Sequence, residues 1–162
     1  MNATGHSPAA LHEAALAVVA HLHGLRIHRL RLDQPGSGHE LLDALRYGLD
    51  IDRLDPERHF VDALKRIEVS LAGRTAVEHY LGKTPADGEA ERIATQLLDR
   101  LCASARQVET LKAFARCRLL DLLDMPVHRE MIEDLAARLD TAGEVDREEF
   151  MLVVLRTVKL PL

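Results

Sequence analysis

Helix start and stop signals recur along this chain and restrict it to a largely helical fold. Ser7-Pro8 and Asp55-Pro56 each join a capping side chain to a proline that suits the first helical turn. Gly24 and Gly82 stand where the helices that follow these starts should end. Two long helices, each with its own start and stop signal, are therefore predicted in the first half of the chain.

Composition supports close packing of helices in a single domain. The chain has 162 residues, of which 47% are hydrophobic and only 3% are aromatic, with no Trp. Its core must therefore consist mainly of Leu, Ala, Val and Ile, and this length suits one domain spanning 1–162, with 1–7 as a loose tail. The predicted helices are 8–22, 57–80, 88–101, 108–123, 128–139 and 146–158. The first of them is apolar on nearly all sides, which predicts a buried central helix.

A small β element is predicted near the N-terminus. Residues 25–32 show the imperfect alternation of a short strand, and the Pro- and Gly-containing stretch 33–38 predicts a loop. Beyond it the signals conflict, because 40–47 suits a helix and 47–51 suits a strand. The predicted fold class is mostly α, that is α+β with a very small N-terminal sheet.

Charge, cysteine usage and hydropathy narrow the classes of partner and location. The formal net charge is -5, and the basic residues are scattered, which argues against a nucleic-acid partner. Cys102 and Cys117 lack a nearby partner cysteine and are expected to be reduced thiols on helices. The apolar stretch 9–22 is too short to span a bilayer, and no basic region precedes it. We therefore expect a cytoplasmic protein without membrane insertion.

The segment from His12 to Leu16 carries most of a zinc-protease helix motif. In H-E-x-x-H two imidazoles lie one turn apart and bind the metal, while the glutamate acts as a general base for metal-bound water. His12 and Glu13 occupy the first two positions, but Leu16 stands at the second histidine position. The motif indicates either an altered metal site or a descendant that has lost the chemistry.

Four segments in the same order resemble the peptidase domain of the FtsH-type, ATP-dependent zinc metalloproteases. They are LHEAALAVVAHLHGLRIHRLRL (11–32), RIEVSLAGRTAVEHYLG (66–82), DGEAERIAT (87–95) and IEDLAARLDTAGEVDREEF (132–150). The resemblance covers most of 9–155 and implies a helical FtsH-like peptidase fold. It also implies the ring-forming self-association of that family.

The resemblance assigns candidate site residues unevenly. His12 matches the first zinc ligand and Glu13 the catalytic glutamate, whereas Leu16 matches the second ligand. The family's third ligand, an aspartate, aligns with Ala90, and a shift of one residue would offer Glu89 or Glu91 instead. A catalytic zinc normally has three protein ligands, so we expect no resident cofactor, with zinc bound only if the site is active.

Other polar groups admit both a functional and a structural interpretation. The set His21, His23 and His28 is either a clustered metal site or solvent-facing histidines near a helix C-terminus, and the latter is favoured. The acids at 87, 89 and 91 either bind a cation or stabilise the start of a helix. His39, just after the glycine-rich loop, is a further candidate ligand, but a two-residue match such as His39-Glu40 is common by chance. Gly82-Lys83-Thr84 resembles the end of a Walker A loop, but a helix precedes it and Val77 replaces the leading glycine, so no ATP site is expected.

Two functions follow from these patterns. The first is an FtsH-like zinc metallopeptidase domain that is catalytically degenerate and acts as a binding or assembly module, through a protein partner or self-association. The alternative is an active, atypical zinc metalloendopeptidase that uses His12 and Glu89 or Glu91 as ligands and Glu13 as general base. A small-molecule binder that uses the vacated cleft is a third class, without a positive signal in the sequence.

Overall fold

A computed structural model describes residues 5–32, 45 and 48–158 of the chain. Six α-helices and two short strands occupy these ranges. In chain order they are α1 (Pro8–Leu22), β1 (Arg29–Arg31), α2 (Pro56–Leu81), α3 (Glu89–Leu101), α4 (Ala105–Asp124), α5 (Pro126–Ala142), β2 (Glu144–Asp146) and α6 (Arg147–Thr157). The predicted fold class, mostly α with a very small sheet, is confirmed.

Helix α1 is the buried centre of the fold. Its N-terminus is capped by Ser7, whose Oγ accepts a hydrogen bond from the Ala10 N–H at 3.1 Å and donates one to Asp140 on α5. Every residue from Ala10 to Ala20 except His12 is buried. The helix packs mainly against α2 and α5, and its alanines allow the neighbouring backbones to approach closely. The expectation of a buried central helix is confirmed.

Helix α2 follows its predicted start and stop signals. Asp55 Oδ1 accepts hydrogen bonds from the N–H groups of Glu57 and Arg58, and Pro56 occupies the first helical position. Gly82 ends the helix in the left-handed region, with φ of 62°, and its N–H donates to the Glu78 carbonyl at 3.0 Å. A side chain with a Cβ would be strained there, so the glycine serves as a helix terminator. The interpretation of Gly82-Lys83-Thr84 as a helix end is confirmed.

The later helices occur where they are predicted, and two of them start earlier than predicted. Helix α4 begins at Ala105 rather than at 108, because Ser104 Oγ accepts from the Gln107 N–H at 3.3 Å. Helix α5 begins at Pro126 rather than at 128 and ends at Ala142, where the cap residue Gly143 has φ of 76°. In both cases a polar or proline-containing first turn extends the helix beyond its apolar pattern.

The two-stranded sheet joins a segment early in the chain to a segment late in the chain. Strand β1 is antiparallel to β2, with Leu30 opposite Val145, and both of these side chains are buried. The predicted strand at 25–32 is therefore reduced to three residues. Alternation along β2 turns Val145 into the core, whereas the charged residues at 144 and 146–149 are exposed.

Some predictions fall where little or nothing is described. The loop at 33–38, His39 and nearly all of the possible helix at 40–47 lie outside the described residues. The described part of 47–51 forms no strand, and Ile51–Arg53 is instead a 3-10 helix. Among the helices of the described ranges, none combines the length and apolar composition that a membrane crossing requires.

Candidate functional site

His12 lies against the backbone of α2 at a position where only glycine fits. The added Cβ of an alanine at Gly73 would lie 2.6 Å from the His12 ring atoms Cγ and Cδ2. A glycine inside a helix costs about 1 kcal/mol relative to alanine, so this position needs a compensating reason. The reason here is the imidazole, which fills the space that a Cβ at Gly73 would take.

Two carboxylates approach the two nitrogens of His12. Nε2 lies 3.4 Å from Glu91 Oε1 on α3, and Nδ1 lies 3.5 Å from Glu13 Oε1. Both carboxylates are largely buried, whereas the imidazole keeps 22% of its surface exposed. Glu91 is held in place because its Oε2 accepts the Gly88 N–H at 2.8 Å, which also caps α3. The same side chain thus starts a helix and pairs with His12.

These contacts shift the pKa values of His12 and Glu91. Burial by itself lowers the pKa of His12, but the hydrogen bonds and charges of Glu13 and Glu91 outweigh it and raise the pKa to about 9. Burial raises the pKa of Glu91, yet His12 and the Gly88 N–H together hold that pKa below its usual range. At neutral pH the group is therefore an imidazolium paired with carboxylates.

The candidate zinc ligands of the sequence are only partly brought together. Glu91 meets His12, whereas Glu89 lies 3.3 Å from Arg92 on the partly exposed side of α3. Ala90 is buried and offers no donor atom, and Leu16 is packed in the core with 4% exposure. Of the two candidate glutamates, Glu91 is thus the one that contacts His12. Its position three and seven residues before Ala94 and Leu98, on the buried stripe of α3, is the sequence signal for this choice.

His12 and Glu91 are two candidate zinc ligands that the structure brings together. The 3.4 Å between His12 Nε2 and Glu91 Oε1 matches the roughly 3.3 Å expected for two ligands of one tetrahedral ion. Glu13, however, faces the other ring nitrogen, so it cannot complete the same coordination sphere. Within the ranges that the structure describes, no group of three or more His, Cys, Asp or Glu side chains is placed to hold a metal ion.

The three acids near the start of α3 each have a different cationic partner. Asp87 pairs with Arg74 of α2, Glu89 pairs with Arg92, and Glu91 pairs with His12. Each carboxylate therefore has its own cationic partner on a different side of the helix. The structural interpretation of these acids is favoured over a common cation.

A second histidine contacts a buried carboxylate that sequence reasoning missed. His23, predicted to face solvent, has only 11% side-chain exposure, and its Nε2 lies 2.7 Å from Oε2 of the fully buried Glu68. The approach direction is poor for a hydrogen bond, and neither of these two atoms has a hydrogen-bond partner among the described residues. Arg118 of α4 pairs with the other oxygen of Glu68. The three histidines do not cluster, because His21 stacks edge-on against Phe150 and His28 is exposed.

A cavity of about 220 Å³ opens beside Glu91, between α2, α3 and α4. Its buried floor is formed by Leu71, Ala94 and Leu98. The other lining residues are polar or charged: Arg74, Thr75, Asp87, Glu91, Thr95, Lys112 and Arg116. Glu91 therefore both contacts His12 and lines this cavity.

In comparisons with known proteins, no family model and no curated protein sequence matches the chain. The FtsH-type relationship thus rests on the segments quoted above and stays a prediction.

Proposed function

We propose that this chain is an FtsH-like peptidase domain without catalytic activity, which acts as a binding or assembly module for a protein partner or a second copy of itself. One observation carries the proposal: both nitrogens of His12 face carboxylates from different positions, while Leu16 fills the place of a second imidazole. A charged side-chain group thus occupies the position in which the resemblance would place a metal.

Proton competition supports the loss of metal chemistry. A metal ligand must be a neutral imidazole, and the carboxylates raise the pKa of His12 to about 9, so a metal would have to displace a tightly held proton. Two further donors on the same side of the ring would be needed to offset that cost. Glu91 supplies at most one of these donors. Glu13 supplies none, because it contacts the other ring nitrogen, Nδ1.

An exposed apolar surface supports the binding role. Phe60 and Phe114 are 41% and 50% exposed, and both line a groove of about 560 Å³ between α2, the end of α3 and the first half of α4. We call this the apolar groove; it is lined by Phe60, Leu101, Cys102, Arg106, Gln107, Thr110, Leu111 and Phe114. Helix α4 buries only Ala115, Leu119 and Leu123 over its 20 residues. Exposed aromatic surface of this kind marks interaction sites in many proteins.

Metal content tests the loss of catalysis. Protein purified without chelator should contain less than about 0.1 zinc ion per chain, since two donors hold zinc weakly. It should also leave casein intact. Near-stoichiometric zinc together with hydrolysis that Glu13→Gln abolishes would overturn the proposal and favour the atypical zinc metalloendopeptidase.

The Leu16→His variant tests the ancestry of the site. An imidazole at position 16 lies one turn from His12 and provides a third donor beside His12 and Glu91. We expect a clear gain in zinc affinity over the unchanged protein, measured by competition with a chromogenic chelator. The matched control is Val19→His, also in the core of α1 but seven residues beyond His12. Equal zinc affinity in the two variants would contradict a remnant metal site.

The binding role is tested at the apolar groove. The Phe60→Ser/Phe114→Ser variant should weaken concentration-dependent self-association in light scattering, or the retention of a purified partner, by about tenfold or more. Leu152→Ser is the control, because Leu152 is 51% exposed on α6, away from the groove. A strict monomer that retains no partner, or equal effects of both variants, would count against the module.

A further inference from the structure

The cavity between α2, α3 and α4 holds more positive than negative charge. Three cations line it, Arg74, Lys112 and Arg116, against two carboxylates, Asp87 and Glu91. Glu91 is turned toward His12 at 3.4 Å and toward the Gly88 N–H at 2.8 Å. Its negative charge is therefore already neutralised on the side away from the cavity.

The cations differ in how far the protein itself neutralises them. Arg74 is held between two acids, at 2.9 Å from Glu78 and in direct contact with Asp87. Arg116 reaches Glu78 through one terminal nitrogen at 2.6 Å, which leaves most of its five N–H donors available. Lys112, one turn earlier on the same helix, makes no ion pair within the described part of the chain.

Lys112 and Arg116 are four residues apart, so their side chains lie on one face of α4. Two like charges at this spacing repel each other, and the repulsion is relieved by an anion placed between them. Below this cationic edge lies the apolar floor of Leu71, Ala94 and Leu98, each less than 8% exposed. The cavity thus joins a site for a negative group to a site for a short hydrocarbon.

We propose that this cavity binds a small organic anion whose oxyanion group, a carboxylate or a phosphate, contacts Lys112 and Arg116, and whose short apolar part packs on Leu71, Ala94 and Leu98. The volume of about 220 Å³ is below the roughly 300–1,000 Å³ of sites for drug-sized ligands, so the ligand is small. This site goes beyond the proposed partner-binding role and does not depend on it, because it shares no lining residue with the apolar groove.

The test is a titration of the full chain followed by amide chemical shifts, at constant ionic strength. The probes are 4-methylpentanoate, 3-methylbutyl phosphate, acetate, inorganic phosphate and the neutral 4-methylpentanamide. We expect saturable shifts at 71–75 and 94–98 for the first two probes, with a Kd of roughly 0.1–5 mM for ligands of this size. Acetate, inorganic phosphate and the amide should bind at least about tenfold more weakly, because each lacks one half of the recognition. The tighter of the two branched anions identifies the preferred oxyanion.

Lys112→Gln tests the cationic edge, with Lys65→Gln as its matched control on α2. Lys65 is exposed and does not line the cavity. Lys112→Gln should weaken the better anion by about fivefold or more, and Lys112→Gln/Arg116→Gln should abolish its binding, while Lys65→Gln changes it less than about twofold. An unchanged amide spectrum elsewhere shows that the variants remain folded.

Three results would overturn the proposal. The first is an absence of saturable shifts at these positions up to about 20 mM, a concentration far above the expected Kd. The second is equal affinity for 4-methylpentanoate and 4-methylpentanamide, which would remove the role of charge. The third is equal affinity in Lys112→Gln and Lys65→Gln. None of these outcomes bears on zinc content or on self-association, so this proposal and the proposed function fail separately.

Discussion

Two histidine–carboxylate groups lie near the two ends of helix α1, and they differ in what surrounds them. Near its start, His12 is 22% exposed and pairs with Glu91 beside an open cavity. At its end, His23 pairs with Glu68, which has no exposed surface at all and also holds Arg118. The residue types are the same, but Glu91 of the first group lines a cavity of about 220 Å³, whereas Glu68 of the second is fully buried. The second group joins three helices and acts as a structural support.

This difference predicts that substitutions in the Glu68 group lower the free energy of unfolding more than substitutions in the His12 group. Glu68→Gln removes the fully buried carboxylate that His23 and Arg118 both contact, and it leaves the Arg118 guanidinium without this partner. We expect a loss of about 3 kcal/mol in the free energy of unfolding. Urea denaturation followed by circular dichroism measures it. Arg118→Gln, whose side chain is 49% exposed, should cost less. A loss below about 0.5 kcal/mol for Glu68→Gln would show that the pair does not support the fold.

Gly73→Ala tests the close approach of the His12 ring to α2. The added Cβ would meet the His12 ring at 2.6 Å and force it to move, which should cost about 2 kcal/mol despite the better helix propensity of alanine. The matched background is His12→Ala, where the space is vacant and Gly73→Ala should be neutral or stabilising. Equal effects of Gly73→Ala in the two backgrounds would contradict the contact.

The pH dependence of the free energy of unfolding tests the charge of His12. The pKa of His12 is raised from 6.5 to about 9, so its stabilising effect is complete below pH 6.5, declines as pH rises, and is gone above pH 9. His12→Gln should therefore cost about 1–2 kcal/mol at pH 6 and nearly nothing at pH 10, after allowance for solvent screening. Unfolding measured at both pH values, with a titration of the His12 ring signals, would show this. A His12 pKa near 6.5 would be inconsistent with the pairing.

The smallest expected effect is the difference in stability loss between substitutions at Glu91 and Glu89, both on α3. Glu91→Gln removes a charged partner of His12 and should cost about 1 kcal/mol at pH 7. The pKa of Glu91 is lowered, so this cost should be present above pH 4.5 and disappear as pH falls below it. Glu89→Gln should cost less than about 0.5 kcal/mol, because its ion pair with Arg92 is partly exposed. Thermal unfolding of both variants compares them, and a larger effect at Glu89 would reverse the assignment.

Sequence patterns predicted the helices well and the site only in outline. The start of α2 at Asp55-Pro56 and its end at Gly82 are local features that can be seen without the fold. The sequence does not predict strand β2, because a three-residue segment with a single apolar residue between two acids cannot be distinguished from a charged turn. Alignment alone left the candidate ligands at positions 89–91 open. The apolar stripe of α3 is the feature that separates them, because each residue points in a different direction on the helix.

Residues close together in the chain determined the helices, and only the tertiary structure decided which charged groups meet. Caps and apolar periodicity act over three or four residues, so the sequence by itself predicts a mostly helical chain with α1 at its centre. His12 and Glu91, by contrast, are separated by 79 positions, and Glu68 and Arg118 by 50. Their pairing depends on how α1, α2, α3 and α4 pack, which sets the angle and spacing between helices. The same packing opens a cavity beside one carboxylate and fully encloses the other.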